Sequence, residues 1–419
     1  MGTIGMNSSP RILVVGTGDT KSDELEFMAD VIRDADAVPV MMDVSVLGDP
    51  RRAPDYSKRD VARAAGTTIE AIAASGDENS AMALMALGAS RLARQLHDAG
   101  LADGVIILGG SMGTDLGLDV AAALPLGVPK FVVSTIAYSH LVPPERIAPD
   151  LMMILWAGGL YGLNDICRSV LSQACGAVVG ATRSGTRPTG DRPLIGMTSL
   201  GSSCLKYMKH LKPELEKRGY GVAVFHATGM GGRAFEAIAA DKGFAAVFDF
   251  CVQEVNNHHY GSVVTSGPDR MENAGRAGIP QIVAPGAVDM VDLQAWQDLP
   301  AILADRPYHA HNRLLGSVTT SPDGRRDIAR IIGEKLGMSA GPVAFLLPTG
   351  GIQEWDRQGE PLHEPDALAV FIDAMRASLP ANVEAHEVDA HINEPAFSER
   401  ALAIFDDWVR RGIVARGRP

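Results

Sequence analysis

Short apolar runs alternate with amphipathic segments along almost the whole chain. In the first part of the sequence, apolar runs of five or six residues are typical of buried parallel strands. They predict strands at 11–16, 38–43, 104–109 and 130–135. Segments with apolar residues at helical spacing follow these runs. One of these segments contains Met82, Met85, Leu92 and Leu96. They predict helices at 22–35, 78–99, 114–124 and 163–180.

A run rich in Gly, Pro and Arg at 183–193 interrupts this alternation and predicts a domain boundary. The alternation then resumes, with strands expected at 194–199, 221–226, 245–250, 280–284, 343–348 and 383–388. Helices are expected at 203–218, 231–240, 269–277, 324–337, 365–378 and 396–411. Two stretches, 48–60 and 296–322, are predicted to be long and partly irregular.

Strands that alternate with helices predict parallel sheets covered by helices on both faces. We therefore expect an α/β protein with two Rossmann-like, doubly wound domains and mainly parallel sheets. The predicted N-terminal domain covers residues 1–190 and the predicted C-terminal domain covers residues 191–419.

Two N-terminal strands run into glycine-rich loops, Gly16-Thr17-Gly18-Asp19-Thr20-Lys21 and Gly109-Gly110-Ser111-Met112-Gly113-Thr114. Glycine allows close approach of the backbone to a ligand, and the free N–H groups of the next helix attract an anion. Because the carboxyl ends of parallel strands meet at one edge of a sheet, both loops predict a single site for a phosphorylated ligand, most simply a nucleotide. The N-terminal domain is therefore the predicted nucleotide-binding domain.

The first loop is neither a Walker A motif nor a dinucleotide fingerprint, because no Gly-Lys dipeptide occurs and Lys21 stands at the place of a third glycine. Thr17, Thr20 and Lys21 still offer hydroxyl groups and a cation to a phosphate. Asp19 is a candidate Mg²⁺ ligand or a cap of the helix at 22–35. The alternative for each loop is a plain strand-to-helix turn.

The C-terminal half has a second cluster of candidate residues. His226 ends a predicted strand, Gly229, Gly231 and Gly232 open the next helix, and Glu236 lies one turn into it. His226, Glu236 and His391 are the candidate catalytic acids and bases, since imidazole titrates near neutrality. Gly229, Gly231, Gly232 and Asn393 are the candidate substrate-binding residues, in a nest for a carboxylate or oxyanion. The alternative is that His226 only holds its loop in shape.

The charge and the cysteine content of the chain limit the function classes and the cellular compartment that are expected. The net charge of −12 and the pI of about 5.4 argue against a nonspecific nucleic-acid binder. The four cysteines lack metal-type spacing and are expected to be free thiols in the cytoplasm. The pairs His258-His259 and His309/His311 lack an obvious third ligand, so no metal site is predicted. Neither a signal peptide nor a membrane-spanning stretch is expected.

Several stretches have a distinctive sequence, among them VVGTGDTKSDELEFM, GGSMGTDLG, VFHATGMGGRAFE and VAPGAVDMVD. They resemble the Tm-one-like ATP-binding family, an uncharacterised family named after the N-terminal half of a plant tobamovirus-resistance protein. The resemblance covers nearly the whole chain, and Met112, which interrupts a typical GGSGGT, marks a divergent member. With ATP as the ligand, the paired loops with Asp19 and Lys21 predict that Mg²⁺ binds beside it. The resemblance implies two Rossmann-like domains, a homodimer, a TIM-barrel partner protein in bacteria and ATP. It also implies the nucleotide contacts Thr17, Asp19, Thr20, Lys21, Gly110, Ser111, Gly113 and Thr114.

Together these observations predict an ATP-binding protein. Its expected role is that of a metabolic enzyme acting on a small phosphorylated or carboxylated substrate at the interdomain cleft. One alternative is a hydrolase or lyase of an oxo-acid without ATP turnover. Another is a nucleotide-responsive binding protein without catalysis. The apolar stretch 151–160 is expected either at the dimer interface or in a buried strand.

Overall fold

The computed structural model describes residues 9–185 and 190–418. The chain forms two compact units, Met1–Pro188 and Thr189–Pro419. Both are built from parallel sheets with interleaved helices, so the predicted α/β class is confirmed. No helix among the described residues is long and apolar enough to cross a membrane.

The N-terminal unit has one five-stranded sheet in the order β2-β1-β3-β4-β5, with all pairs parallel. Its strands are β1 (Arg11–Gly16), β2 (Val38–Asp43), β3 (Gly104–Gly109), β4 (Lys130–Ser134) and β5 (Leu151–Leu155). Its helices are α1 (Ser22–Asp34), α2 (Lys58–Ala64), α3 (Ile69–Ala73), α4 (Glu78–Asp98), α5 (Ser111–Ala123) and α6 (Asp165–Ser184). An apolar cluster covers each face of the sheet, as expected for strands that are buried on both sides.

The C-terminal unit has a six-stranded parallel sheet in the order β14-β13-β9-β8-β6-β7. Its strands are β6 (Leu194–Ser199), β7 (Gly221–His226), β8 (Ala246–Cys251), β9 (Gln281–Gly286), β13 (Val343–Pro348) and β14 (Val383–Val388). Its helices are α7 (Lys206–Lys217), α8 (Met230–Ala240), α9 (Gln253–His259), α10 (Asn273–Arg276), α11 (Pro322–Gly337), α12 (Pro365–Ser378) and α13 (Pro395–Arg410).

A small antiparallel sheet stands beside the parallel sheet of the C-terminal unit. It consists of β10 (Met290–Gln294), β12 (Leu315–Thr319) and β11 (Tyr308–Ala310), in the order β10-β12-β11. The stretch 296–322 is long and partly irregular, as predicted, but β11 and β12 within it were not predicted. The strands were missed because they are short and interrupted by polar residues, so neither a continuous apolar run nor a helical stripe marks them.

The predicted helix at 269–277 is also much shorter than expected. Met271 has a φ of 71°, in the left-handed region that a residue with a side chain rarely adopts and that a right-handed helix cannot contain. Helix α10 consequently begins only at Asn273. The break turns the side chain of Arg270 into the protein interior, where it is 0% exposed.

Strand order determines where each unit can bind a ligand. In the N-terminal unit, β2 lies on one side of β1 and β3 lies on the other, so the connections after β1 and β3 leave in opposite directions. Such a reversal opens a crevice beyond the carboxyl ends of the two strands. In the C-terminal unit, β6 has the equivalent place between β7 and β8.

Candidate functional site

A pocket of about 630 Å³ opens at the reversal point of the N-terminal sheet. We call it the N-terminal pocket. It is lined by the loop after β1, the loop after β3, the segment 44–47 after β2 and the start of α4. Seven of the eight predicted nucleotide contacts line it: Thr17, Asp19, Thr20, Lys21, Gly110, Ser111 and Gly113.

Lys21 and two threonines form one polar group in the first loop. Lys21 Nζ lies 3.3 Å from Thr17 Oγ1 and 3.2 Å from Thr20 Oγ1, and the two hydroxyl oxygens are 3.0 Å apart. Lys21 is also the residue before α1, whose start has no side-chain cap. The cation, two hydroxyl groups and the free N–H groups of α1 are therefore available at one place.

A buried aspartate that the sequence did not single out fixes the shape of this loop. Asp43, at the end of β2, accepts hydrogen bonds from the N–H of Gly18 at 2.9 Å and the N–H of Ser45 at 3.0 Å. Asp19 accepts a hydrogen bond from the N–H of Gly48 at 3.3 Å. Asp19 does not cap the helix, so that alternative is wrong, and its carboxylate lies on the wall of the pocket.

The second loop presents the start of α5 to the same pocket. Gly110 precedes the helix and no side chain caps it, so the N–H groups of its first turn are available to an anion. A Cβ on Gly109 would lie 2.4 Å from the carbonyl carbon of Gly113, so this tight turn requires glycine. Thr114 is placed differently from the prediction: it is fully buried, and its hydroxyl lies 2.7 Å from that of Ser134. Its side chain therefore supports the loop from behind.

Apolar side chains form the opposite wall of the N-terminal pocket. Leu47 is 79% exposed and Met112 is 43% exposed, although both line the pocket. Val46, Ala73 and Met82 complete this wall. Exposed apolar groups beside a polar loop suit a ligand with a flat apolar part and a charged part.

The predicted anion nest of the C-terminal unit is already filled by the protein itself. Glu254, which is 0% exposed, accepts hydrogen bonds from the N–H groups of Gly229 at 2.6 Å and Gly232 at 3.1 Å. A Cβ on Gly232 would lie 1.9 Å from Glu254 Oε2, and a Cβ on Gly231 would lie 1.8 Å from the carbonyl oxygen of His226. The glycines thus bind a carboxylate, as expected, but it belongs to the chain and not to a substrate.

Glu236 lies in a buried ionic cluster around Arg270. The guanidinium group of Arg270 donates to Glu254 at 2.8 Å, to Glu236 at 3.2 Å and to Asp249 at 2.6 and 2.7 Å. Glu236 also accepts hydrogen bonds from the backbone N–H groups of Met271 and Asn273. Burial raises the pKa of Glu236 to about 7, with Arg270 opposing the shift and Asp249 adding to it. With 1% exposure, Glu236 faces the interior and does not join His226.

His391 and Asn393 hold loops together. His391 is 2% exposed; its Nε2 lies 3.1 Å from Asp356 Oδ1, and its Nδ1 accepts from the N–H of Asn393 at 3.0 Å. Asn393 donates from Nδ2 to the carbonyl oxygen of Ser203 at 2.7 Å. Their polar atoms are engaged inside the protein, so the structure does not bring the three predicted catalytic residues into one site.

His226 remains at the surface and lines a narrow cleft. Its Nδ1 accepts a hydrogen bond from the N–H of Gly201 at 3.3 Å. Burial, with a smaller contribution from the positive charge of His311, lowers the pKa of His226 below its usual value. Residues that the sequence did not predict line the same cleft, among them Asp292, Ser317 and Trp355. A signal for Asp292 was present, since an acid inside the apolar run MVDLQ is unusual.

Within residues 9–185 and 190–418, no group of three or more His, Cys, Asp or Glu side chains is arranged to hold a metal ion. All four cysteines are buried and free. Burial raises the pKa of the Cys175 thiol to about 12, which makes this thiol unreactive at neutral pH.

Comparisons with known proteins show which proteins the whole chain is similar to. The chain is 71% identical over 410 residues to a UPF0261 protein of Brucella melitensis biotype 1, covering 98% of each chain. It is 32% identical over 391 residues to a UPF0261 protein of Clostridium tetani, covering 93% of this chain and 96% of that one. It is 28% identical to the ToMV resistance protein Tm-1(GCR237) of Solanum lycopersicum, over 95% of this chain but 56% of the tomato protein. The expected resemblance to the plant protein is thus a distant one.

Similarity to solved structures is weak. A UDP-N-acetylglucosamine 2-epimerase matches 99% of this chain and 99% of its own, with 11% identity and a TM-score of 0.22. MurG of Acinetobacter baumannii matches 95% of this chain and 99% of its own, with 12% identity and a TM-score of 0.21.

Family models match both units of the chain. The N-terminal domain model of the uncharacterised protein family UPF0261 matches residues 10–187, and the C-terminal domain model of the same family matches residues 192–409. The description of this family names no ligand, so the family is not defined by ATP binding. On these matches and on its close relatives, the chain belongs to the uncharacterised protein family UPF0261.

Proposed function

We propose that this protein binds a nucleotide, with ATP as the natural ligand, in the N-terminal pocket. One observation carries the proposal: two uncapped helix starts and Lys21 meet in a pocket of about 630 Å³ at the reversal point of a parallel sheet. Helix starts and a lysine together favour a ligand with several negative charges.

Each part of the pocket has a role in this proposal. The N–H groups at the start of α5 and the ammonium group of Lys21 bind the phosphates, and the hydroxyl groups of Thr17, Thr20 and Ser111 add hydrogen bonds. The apolar wall that includes Val46, Leu47 and Met82 contacts the base. Asp19 supplies a carboxylate oxygen for Mg²⁺, which binds together with the phosphates.

Replacing Lys21 tests this proposal. Lys21→Gln keeps the length and polarity of the side chain but removes its charge. We expect the Kd for MgATP to rise about 10- to 100-fold, because a hydrogen bond to a charged group contributes about 1.5–3 kcal/mol. Isothermal titration calorimetry with ATP, ADP and AMP measures the effect, and affinity is expected to fall with each phosphate removed.

The matched control for this titration is Arg94→Gln. Arg94 is an exposed residue of α4 that pairs with Asp98 at 3.0 Å, and it does not line the N-terminal pocket. The control is expected to bind MgATP like the wild type. Equal affinity of Lys21→Gln and the control, or no heat from any of the three nucleotides with wild-type protein, would refute the proposal.

Whether the protein turns ATP over is a separate question. A metabolic enzyme acting on a small phosphorylated or carboxylated substrate is one candidate. A nucleotide-responsive binding protein is the second, and it is favoured by the internal hydrogen bonds that occupy Glu236 and His391. Release of phosphate from ATP, measured with and without added oxo-acids and hydroxy acids, distinguishes the two. Steady release above the rate of the Lys21→Gln variant would favour the enzyme.

A homodimer is proposed for the same protein. Strand β5 is the edge of the N-terminal sheet, and its residues are only partly buried. Exposed large apolar side chains lie in the stretch around it: Tyr138, Leu141, Leu155, Tyr161 and Ile166. Such a patch is typical of a protein interface. A TIM-barrel partner stays a prediction.

Mass measurement in solution tests the dimer. We expect light scattering of the wild type at micromolar concentration to give twice the chain mass of 44.3 kDa. The double change Tyr161→Lys and Ile166→Glu places two charges in the patch and should yield the monomer mass. The control Met338→Glu, at a 56% exposed apolar residue of the other unit, should leave the mass unchanged. A monomeric wild type contradicts the proposal.

A further inference from the structure

A second cavity of the N-terminal unit has walls that differ from those of the N-terminal pocket. It is lined by one face of α1, by strand β2 and by the segment 50–55, which belongs to a stretch expected to be long and irregular. We call the segment 48–56 the strap and this cavity the strap pocket. Its volume is about 260 Å³. Because a cavity of about 150 Å³ holds benzene, the strap pocket has room for about ten non-hydrogen atoms.

The strap spans the groove between α1 and the edge strand β2. On the side of α1, the N–H of Arg51 donates to Ser22 Oγ at 3.2 Å. On the side of β2, the N–H of Tyr56 donates to the carbonyl oxygen of Met41 at 2.9 Å, and the N–H of Met41 donates to the carboxylate of Asp55 at 2.7 Å. The strap is therefore tied to both walls of the groove, and the space beneath it is a formed pocket.

Apolar side chains form much of the wall of the strap pocket. Leu25 and Ala29 of α1 are 5% and 3% exposed, and Met42 of β2 is 2% exposed. Pro50 and Pro54 line the pocket from the strap. Walls of this kind favour a ligand with an apolar body and a small number of polar groups.

Asp43 brings a carboxylate oxygen without a partner to this pocket. The residue ends β2, lines the strap pocket and is 3% exposed. Its Oδ1 accepts the hydrogen bonds from the N–H groups of Gly18 and Ser45 and from the hydroxyl group of Ser45. No described residue donates to its Oδ2. Because an unpaired charged oxygen in a buried residue is costly, Oδ2 calls for a donor from a ligand.

The charges around the strap pocket favour a cation at Asp43. Both arginines that line the pocket have acidic partners: Arg52 Nε lies 3.4 Å from Glu26 Oε2, and Arg33 Nη1 lies 2.5 Å from Asp30 Oδ1. These arginine side chains are 75% and 53% exposed, so they belong to the rim. No lysine, arginine or histidine of the described chain pairs with Asp43. A ligand ammonium group can donate to Oδ2 and supply the missing positive charge, whereas a ligand carboxylate would be repelled.

We propose that the strap pocket binds a small primary amine with an apolar body, such as an arylalkylamine or a branched alkylamine. The ammonium group binds Oδ2 of Asp43, and the apolar body packs against Leu25, Ala29 and Met42 beneath the strap. The proposal concerns this pocket alone and does not depend on nucleotide binding.

Saturation-transfer NMR on the full chain near neutral pH tests the proposal with three probes of similar shape. Phenethylamine is positively charged there, because a primary ammonium group has a pKa of about 10; 2-phenylethanol is neutral and 3-phenylpropionate is negatively charged. We expect saturable binding of phenethylamine, binding of 2-phenylethanol weaker by about tenfold or more, and no binding of 3-phenylpropionate. No saturable binding of phenethylamine, or equally tight binding of 3-phenylpropionate, would overturn the proposal.

Replacing Asp43 by Asn separates the charge from the shape of the pocket. The amide oxygen of Asp43→Asn can still accept from Gly18 and Ser45, while its NH₂ group takes the place of Oδ2 and cannot accept from an ammonium group. We expect phenethylamine to bind about tenfold more weakly or worse, and 2-phenylethanol to be affected by a much smaller factor. The control Asp373→Asn, at a 77% exposed carboxylate of α12, should bind both probes like the wild type. Unchanged binding of phenethylamine by Asp43→Asn, or an equal loss of both probes, would contradict the proposal.

A second variant fills the pocket and leaves Asp43 in place. Ala29→Leu extends a side chain from α1 into the strap pocket, and leucine is a good helix former. We expect this variant to keep the melting temperature of the wild type or to exceed it, and to lose the binding of phenethylamine. Full affinity for phenethylamine in the folded Ala29→Leu variant would refute the proposal, whether or not Asp43→Asn folds.

Discussion

Replacement of Arg270 by Met is expected to unfold most of the C-terminal unit at 37 °C. Arg270 is 0% exposed and lies within 3.2 Å of Glu236, Asp249 and Glu254. Without the guanidinium group, these three buried carboxyl groups would face one another with no positive charge between them and would keep only their other hydrogen-bond partners. Breaking a single buried ion pair costs about 3–5 kcal/mol. This loss is comparable to the whole stability of an ordinary domain, about 5–15 kcal/mol.

Denaturant unfolding followed by circular dichroism measures this effect. The Arg270→Lys variant keeps the positive charge but lacks the planar guanidinium group that reaches three carboxyl groups. Its free energy of unfolding should therefore lie between those of Arg270→Met and the wild type. The control Arg276→Gln removes a 59% exposed guanidinium group that pairs with Glu272, and such surface pairs contribute only about 0–1 kcal/mol. A stable, cooperatively unfolding Arg270→Met variant would mean that the cluster is not what holds this region together.

The pH dependence of the same variants follows from the raised pKa of Glu236. Burial raises this pKa from 4.5 to about 7 in the folded protein. The folded state therefore holds a proton that the unfolded state has lost between these two values. The stability contributed by this proton is fully present below pH 4.5 and is lost as the pH rises through about 7. The loss of unfolding free energy caused by Arg270→Met should accordingly be smaller at pH 5.5 than at pH 8.

A methyl group on Gly232 is expected to have the second largest effect. The Cβ of Gly232→Ala would lie 1.9 Å from Oε2 and 2.5 Å from Oε1 of Glu254, so the carboxylate must leave its place. The N–H groups of Gly229 and Gly232 and one donor of Arg270 would then lose their partner. Overpacking together with unsatisfied buried groups costs about 2–4 kcal/mol. Thermal unfolding measures the loss.

A helical glycine in open space is the matched control for Gly232→Ala. Gly176 of α6 has no atom within 4 Å of an added Cβ among the described residues, so Gly176→Ala should stabilise its helix by about 0.5–1 kcal/mol. The double variant Gly232→Ala, Glu254→Ala should be less damaged than the sum of the single variants, because both remove the same contact. Strictly additive losses of stability would contradict a contact between residue 232 and Glu254.

Most of the sheets could be predicted because parallel strands buried on both faces are continuous apolar runs. The strands at 11–16 and 343–348 coincide with β1 and β13 for this reason. Helix α9 was missed because its buried face is made of Gln253, Asn256 and Asn257, which carry no apolar periodicity. The length of α10 was mispredicted because Met271 adopts a left-handed φ of 71°, which local propensity does not predict.

The sequence could predict only those parts of the candidate sites that lie within one short segment of the chain. Glycine-rich loops at strand ends are visible in the sequence, and those after β1 and β3 do meet in one pocket. Which side of a loop a residue faces is not visible, so Thr114 was placed towards the ligand although it points inward. Hydrogen-bond partners that are distant in sequence were not predicted either. Asp43 lies 25 residues from Gly18, and Glu254 lies 25 residues from Gly229.

The carboxylate of Glu254 in its glycine nest makes the two units unequal in spite of their related strand orders. In the C-terminal unit, the helix start after β7 is neutralised permanently by a group that folds with the chain. In the N-terminal unit, the equivalent helix starts after β1 and β3 lack such a side chain. The helix start after β7 therefore has no free N–H groups left for a multiply charged ligand. Under the proposed function, the loop after β7 is accordingly not expected to take up a second equivalent of phosphate.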